Sequence, residues 1–190
     1  LSPVHCEQGG IENTMAVNYF APVLLTERLL PLMKRNAPAR LIFISSSMHK
    51  YGRNDMSMLE DRAPYNGTRA YSNSKLALML YALHLSRVLP VSGITVTTVH
   101  PGWIRTKLST GMDKGFGLKK LFVQLLQMRP PWWGARSIVY LATAPEAEAL
   151  NGSYIIKNLP VLPSPAARDQ SLADALASRT KFLLRGYLSL

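Results

Sequence analysis

Two short apolar runs, "RLIFIS" at 40–45 and "GITVTTVHPG" at 93–102, constrain the fold more than anything else in the chain. Both are rich in branched aliphatic residues, and both end in polar or turn-forming residues, as buried strands do. Between them lies a helical segment, about Arg69 to Leu89, that is apolar nearly all round from Leu76 to Leu85. Such a helix is buried on two sides, against a sheet and against another helix or subunit. Strands that alternate with helices lie parallel and are joined by right-handed crossovers.

The alternation extends in both directions. Residues 12–35 read as one long helix, apolar on most sides, bent or split at Pro22 and Pro31. Within 103–133, "LKKLFVQLLQM" is a helix, and "WGARSIVYLAT" is a further one. "NGSYIIK" at 151–157 is a turn followed by a third strand. The tail 164–186 opens with "SPAARD", which places proline in the first turn of a polar surface helix. Residues 47–68 are polar and carry glycine and proline, so they form a long loop of the kind that is either functional or disordered. The fold class is α/β, a doubly wound parallel sheet with about three strands, and residues 1–190 form one domain.

Composition sets the outer limits. With 47% apolar and 17% charged residues the chain can bury a sizeable core. A single cysteine, Cys6, excludes an internal disulfide framework and a multi-cysteine metal site within one chain. The formal charge of +11 would suit nucleic acid or an anionic membrane surface. The basic residues are dispersed, however (Lys34, Arg40, Arg53, Lys107 and Arg168 among them), and no finger, basic helix or aromatic RNA-binding strand accompanies them. The reading is therefore no nucleic acid, and an anionic cofactor suits the charge equally well. No uninterrupted apolar stretch is long enough to span a membrane. The start, "LSPVHCEQGG", has neither signal-peptide shape nor an initiator methionine, which predicts that the chain begins inside a longer protein.

Ligands of open α/β sheets bind outside the carboxyl ends of the strands. Ser45, Ser46 and Ser47 follow the first strand; His100, Pro101 and Gly102 follow the second. At the start of the intervening helix stand Tyr71 and Lys75, four apart and so on one face. Hydroxyls, a phenol and an ammonium thus converge by topology. Each taken singly has a plainer reading: a serine turn, a satisfied buried amide at Asn18, a Pro-Gly strand terminator, neighbouring surface side chains. His49 and His100 are acid–base candidates by type. No Gly-x-Ser-x-Gly elbow or paired acid supports a hydrolase triad, and both histidines read as structural. "GFG" at 115–117 lacks the further residues of a phosphate loop, and "FGLKKLFVQLLQMRPPWW" reads as lining or covering an apolar pocket, with binding to a membrane as the alternative.

Taken in order, Asn18 in "VNYFA", the serines of "RLIFISSSMH", the Tyr-x-x-x-Lys of "YSNSK", "HPGWIRT" and "GARSIVYLAT…NGSYI" resemble the carboxyl-terminal portion of a short-chain dehydrogenase/reductase. The long loop between serine and tyrosine, "HPG" after the strand and "GA" ahead of "LAT" most resemble the retinol-dehydrogenase-like branch. The resemblance implies a Rossmann-like sheet, of which this chain supplies the carboxyl-terminal half. It implies NAD or NADP as cofactor and a hydrophobic alcohol or carbonyl (retinoid, steroid or lipid) as substrate. Tyr71 would exchange a proton with the substrate oxygen as hydride moves to or from the cofactor. A free phenol titrates near 10, and a fixed cation beside a phenol favours its ionised form. Lys75 would supply that cation and hydrogen-bond the nicotinamide ribose. Ser46, with Ser47 as the alternative, would hold the substrate oxygen, and Asn18 would anchor a water relaying protons to Lys75. Pro101, Gly102, Ile104 and Thr106 would border the nicotinamide end of the cofactor.

The resemblance also marks what these residues do not contain. No Thr-Gly-x-x-x-Gly-x-Gly loop, no residue selecting NAD or NADP and no Asn-Asn-Ala-Gly strand end is present, and Ala21 replaces the family's glycine in its Asn-x-x-Gly helix motif. The expectation is the catalytic half of a longer enzyme, inactive by itself, with an open edge on the first strand. The alternative is a truncated, inactive isoform or fragment acting only through protein binding. Further expectations are a homodimer through the 71–89 helix and membrane association; localisation stays open between the cytoplasm and the cytosolic face of an internal membrane.

Overall fold

The computed structural model describes residues 12–59, 64–89, 92–104 and 129–188. Its sheet has the order β1 (Ala39–Ile44), β2 (Ile94–His100), β3 (Tyr154–Ile156), β4 (Leu159–Pro160). The first three strands are parallel, with Ala39 opposite Ile94 and Thr98 opposite Tyr154. β4 is antiparallel to β3. The three expected strands are the parallel part. The fourth escapes a glycine-based search for turns, because the β3–β4 turn is made by Lys157 and Asn158, both at positive φ (52° and 63°).

The period of two along each strand sorts side chains to two cores. Ala39, Leu41 and Phe43 of β1, Ile94 and Val96 of β2 and Tyr154 of β3 enter the larger core. Ile42, Val99 and Ile155 face the other way, with Leu141, Ile138 and Ala147. Helices therefore cover both faces: α2 (Ala21–Arg35), α3 (Gly67–Val88) and α5 (Gln170–Leu188) on one, α4 (Pro131–Thr143) on the other. The α/β doubly wound reading holds.

The helix expected at 12–35 does not break. A short α1 (Asn13–Met15), capped by the Glu12 carboxylate, passes through a π-helical turn (Ala16–Phe20) into α2, which runs on past Pro31. Pro22 has no N–H to give to the turn before it, and the wider π turn falls just ahead of it.

α3 begins where Asn66 Oδ1 accepts the N–H of Arg69, at 2.9 Å. It is buried on two sides, as expected. Its second partner is the chain's own α5, so that face is covered without a second subunit. The expectation of a polar tail helix is corrected accordingly: α5 is amphipathic and buries Ala173, Leu176, Ala177, Thr180 and Leu184. Pro165 is not in its first turn either. It precedes a separate 3-10 turn (Ala166–Arg168), and Asp169 then caps α5 by accepting the Leu172 N–H. Buried polar contacts fix the layer: Tyr19 Oη with Thr180 Oγ1 at 2.8 Å, and Tyr81 Oη donating to Glu27 at 2.9 Å.

The loop after β1 is ordered by two 3-10 turns, Ser47–Tyr51 and Met56–Met58. The helix expected at "LKKLFVQLLQM" lies outside the described residues.

Candidate active site

β1 delivers its carboxyl end to the first turns of α3. Ser45 closes the strand through its N–H to the Val99 carbonyl, at 2.9 Å. Its Oγ donates to the Lys75 carbonyl at 3.2 Å. Lys75 answers in the other direction, Nζ donating to the Ile44 carbonyl at 3.1 Å. The same Nζ stands 5.6 Å from the centroid of the Tyr71 ring. Burial pushes the Lys75 ammonium below the usual lysine range. Strand end, lysine and phenol thus form one neighbourhood.

Ser46 is buried and extended (φ −149°, ψ 155°), and its Oγ accepts the Met48 N–H at 3.2 Å. Its hydroxyl hydrogen remains available to an acceptor outside this turn. Asn18 sits in the π-helical turn, and its Nδ2 donates to Ser74 Oγ at 3.2 Å. Ser74 Oγ in turn donates to the Tyr71 carbonyl at 2.8 Å. The π-helical turn is thereby tied to the first turns of α3, where Tyr71 stands.

The small polar residues that pad "YSNSK" prove to be structural. Ser72, Asn73 and Ser74 are all buried. Asn73 Oδ1 accepts the Arg53 N–H at 2.9 Å, fastening the far end of the serine loop to α3. Gly52 lies so close to α3 that a Cβ there would stand 2.8 Å from Leu76 Cβ. The sequence marks neither role: Asn73 shows only its place inside the motif, and Gly52 only a glycine in a polar loop.

Pro101 and Gly102 follow β2, the neighbouring strand. Gly102 has φ 92° and no described residue within 4 Å of where a Cβ would be. Pro101 and Ile104 pack on Gly134 of α4, and Ile104 bridges to Arg129. Thr106 lies outside the described residues. The His100 Nδ1 is buried without a partner among the described residues, and burial lowers its affinity for a proton. His49 is buried, with both ring nitrogens engaged. Among the described residues no cluster of metal-ligating side chains occurs, and no helix is long and apolar enough to cross a membrane.

Residues 4–116 match the family model described as short chain dehydrogenase. The chain is 36% identical over 173 residues to retinol dehydrogenase 14 of Homo sapiens, covering 89% of this chain and 51% of that protein. It is 35% identical over 182 residues to polyprenol dehydrogenase of Mus musculus, covering 93% of this chain and 54% of that one. It spans about half the length of the curated relatives it matches. Among solved structures, an uncharacterised protein from Mycobacterium paratuberculosis superposes with a TM-score of 0.65 at 27% identity, over 92% of this chain and 59% of that one. The angucycline C-6 ketoreductase LanV with bound NADP superposes with a TM-score of 0.55 at 27% identity, over 75% of this chain and 50% of that one. With these likenesses set beside the strand-end serines and the Tyr71–Lys75 pair, the chain belongs to the short-chain dehydrogenase family.

Proposed function

We propose that these residues carry the catalytic groups of an NAD(P)-dependent oxidoreductase that interconverts a hydrophobic alcohol and its carbonyl, with Tyr71 as the acid–base. The observation that carries this reading is the Lys75 ammonium, held between the end of β1 and the Tyr71 ring. Similarity to retinol and polyprenol dehydrogenases supports a retinoid- or lipid-like substrate, and the NADP bound to LanV supports the cofactor class.

The residues present fit the nicotinamide end of such a cofactor. Gly102 has no described residue where a side chain would stand, and Lys75 offers an ammonium for the ribose hydroxyls. Pro101, Gly102 and Ile104 would border the ring. When bound, the cofactor supplies the hydride acceptor or donor.

The chain's own groups do the rest. Tyr71 passes a proton to the substrate oxygen in reduction and takes one in oxidation. Lys75 sets positive charge close to where the phenol oxygen would turn negative. Ser46, its Oγ already accepting from Met48, directs its hydroxyl hydrogen to the substrate oxygen. Asn18, with Nδ2 committed to Ser74, keeps Oδ1 for a water that relays protons towards Lys75.

The test is alcohol oxidation followed by the growth of reduced cofactor. It is run with the 190-residue chain alone and with that chain joined behind the amino-terminal half of human retinol dehydrogenase 14. The joined form is expected to turn over. Tyr71→Phe is expected to lower turnover by about a hundredfold or more with cofactor binding kept; turnover that survives the change rejects the assignment.

A second reading rests on the sequence itself, which holds no glycine-rich phosphate loop. In it the chain alone is catalytically silent and acts by binding protein. Titration with NADPH and NADH separates the two, because saturable micromolar binding by the chain alone removes the silent reading.

A further inference from the structure

We propose that His49 is a positioning residue for Ser46: a neutral imidazole, protonated on Nδ1, that bolts the Ser46 carbonyl to the segment around Ser164. The proposal rests on the role given to Ser46 above.

The geometry fixes the tautomer. The His49 Nδ1 lies 2.7 Å from the Ser46 carbonyl oxygen, which can only accept, so Nδ1 carries the hydrogen. On the other side of the ring, Nε2 lies 3.3 Å from the Ser164 backbone nitrogen, which can only donate, so Nε2 is bare. One protonation state alone satisfies both contacts. The surroundings favour it: His49 is fully buried, and the Tyr154 ring packs edge-on against it with centroids 5.2 Å apart. Burial also holds its proton affinity below the ordinary histidine value.

The consequence falls on Ser46. Its carbonyl oxygen takes two hydrogens from the same residue, the ring Nδ1–H and the backbone N–H of His49 at 3.1 Å. A carbonyl held twice cannot swing, so the peptide joining Ser46 to Ser47 keeps one orientation. Ser46 Oγ then stays where the Met48 N–H meets it, and its remaining hydrogen points to one side. Beyond the ring, Ser164 Oγ accepts the Ala167 N–H at 3.4 Å, so the far anchor belongs to the turn that leads into α5. The serine is thus fixed both to α3, through Ser45, and to the carboxyl-terminal segment, through His49.

The experiment has a spectroscopic arm and a rescue arm. Long-range proton–nitrogen NMR of the purified 190-residue chain is expected to show a single His49 tautomer, Nδ1-protonated. An Nε2-protonated ring or a mixture overturns the proposal. In the same spectra His49→Phe, which keeps a ring and loses both contacts, is expected to speed exchange of the Met48 amide about tenfold. His49→Asn, whose amide can still donate to the Ser46 carbonyl, is expected to restore slow exchange; equal exchange in all three proteins overturns the proposal. In the joined, active form, kcat is expected to fall about tenfold in His49→Phe, to recover in His49→Asn, and to leave cofactor KM in place. A form with no turnover at all counts against the function proposed above, and the NMR arms still decide the role of His49.

Discussion

Gly52 sets the distance between the serine loop and α3. A methyl group there meets Leu76 Cβ at 2.8 Å, Leu76 Cδ2 at 2.9 Å and the Ser72 carbonyl at 3.0 Å. Two of those neighbours are rigid, one being backbone and the other a Cβ. Gly52→Ala is expected to destabilise the protein by about 1–3 kcal/mol, read as a lowered urea midpoint. At this scale the sequence shows grouping better than support. That Tyr71, Lys75 and the strand-end serines lie together is legible because residue type, spacing and position after a strand agree. Asn73 and His49 are not, because their roles depend on partners far along the chain, Arg53 and Ser164. No local pattern encodes a contact of that range.

The elements divide in the same way. β1, β2 and α3 announce themselves by unbroken apolar runs, and each lies within a residue or two of its expected bounds. α5 is misread, because its apolar positions are diluted by Arg179, Lys181 and Arg185 along its exposed sides. Its burial shows only once α3 is in place to receive it. That packing makes α5 a part of the core. Leu176 is fully buried, and Leu176→Ala is expected to cost about 2–5 kcal/mol, measured by thermal or urea unfolding. A truly polar surface helix would lose far less.

Across the whole molecule, two buried imidazoles give stability a pH dependence. Burial lowers the values of both His49 and His100 from 6.5. Below 6.5 the unfolded chain takes up these protons first, so stability falls as pH drops through the lowered values. The melting temperature is expected to decline between about pH 7 and about pH 5, and His49→Phe should remove part of the slope. What the sequence leaves open at this scale is which faces of the fold are covered, since covering depends on how elements assemble and not on their periods.

β1 has one such face. Among the described residues it pairs only with β2, and the N–H groups of Ala39 and Ser45, at its two ends, both point that way. In a parallel ladder successive residues bond to alternate sides. Leu41 and Phe43 therefore share the orientation of Ala39 and Ser45, while Arg40, Ile42 and Ile44 turn their amides outward. Deuterium should enter the strand as a comb: Arg40, Ile42 and Ile44 exchange early, and Leu41 and Phe43 late. Addition of a polypeptide that pairs along that second side would slow the early teeth and leave the late ones unmoved, so the strand reports by its own clock whether that side is taken.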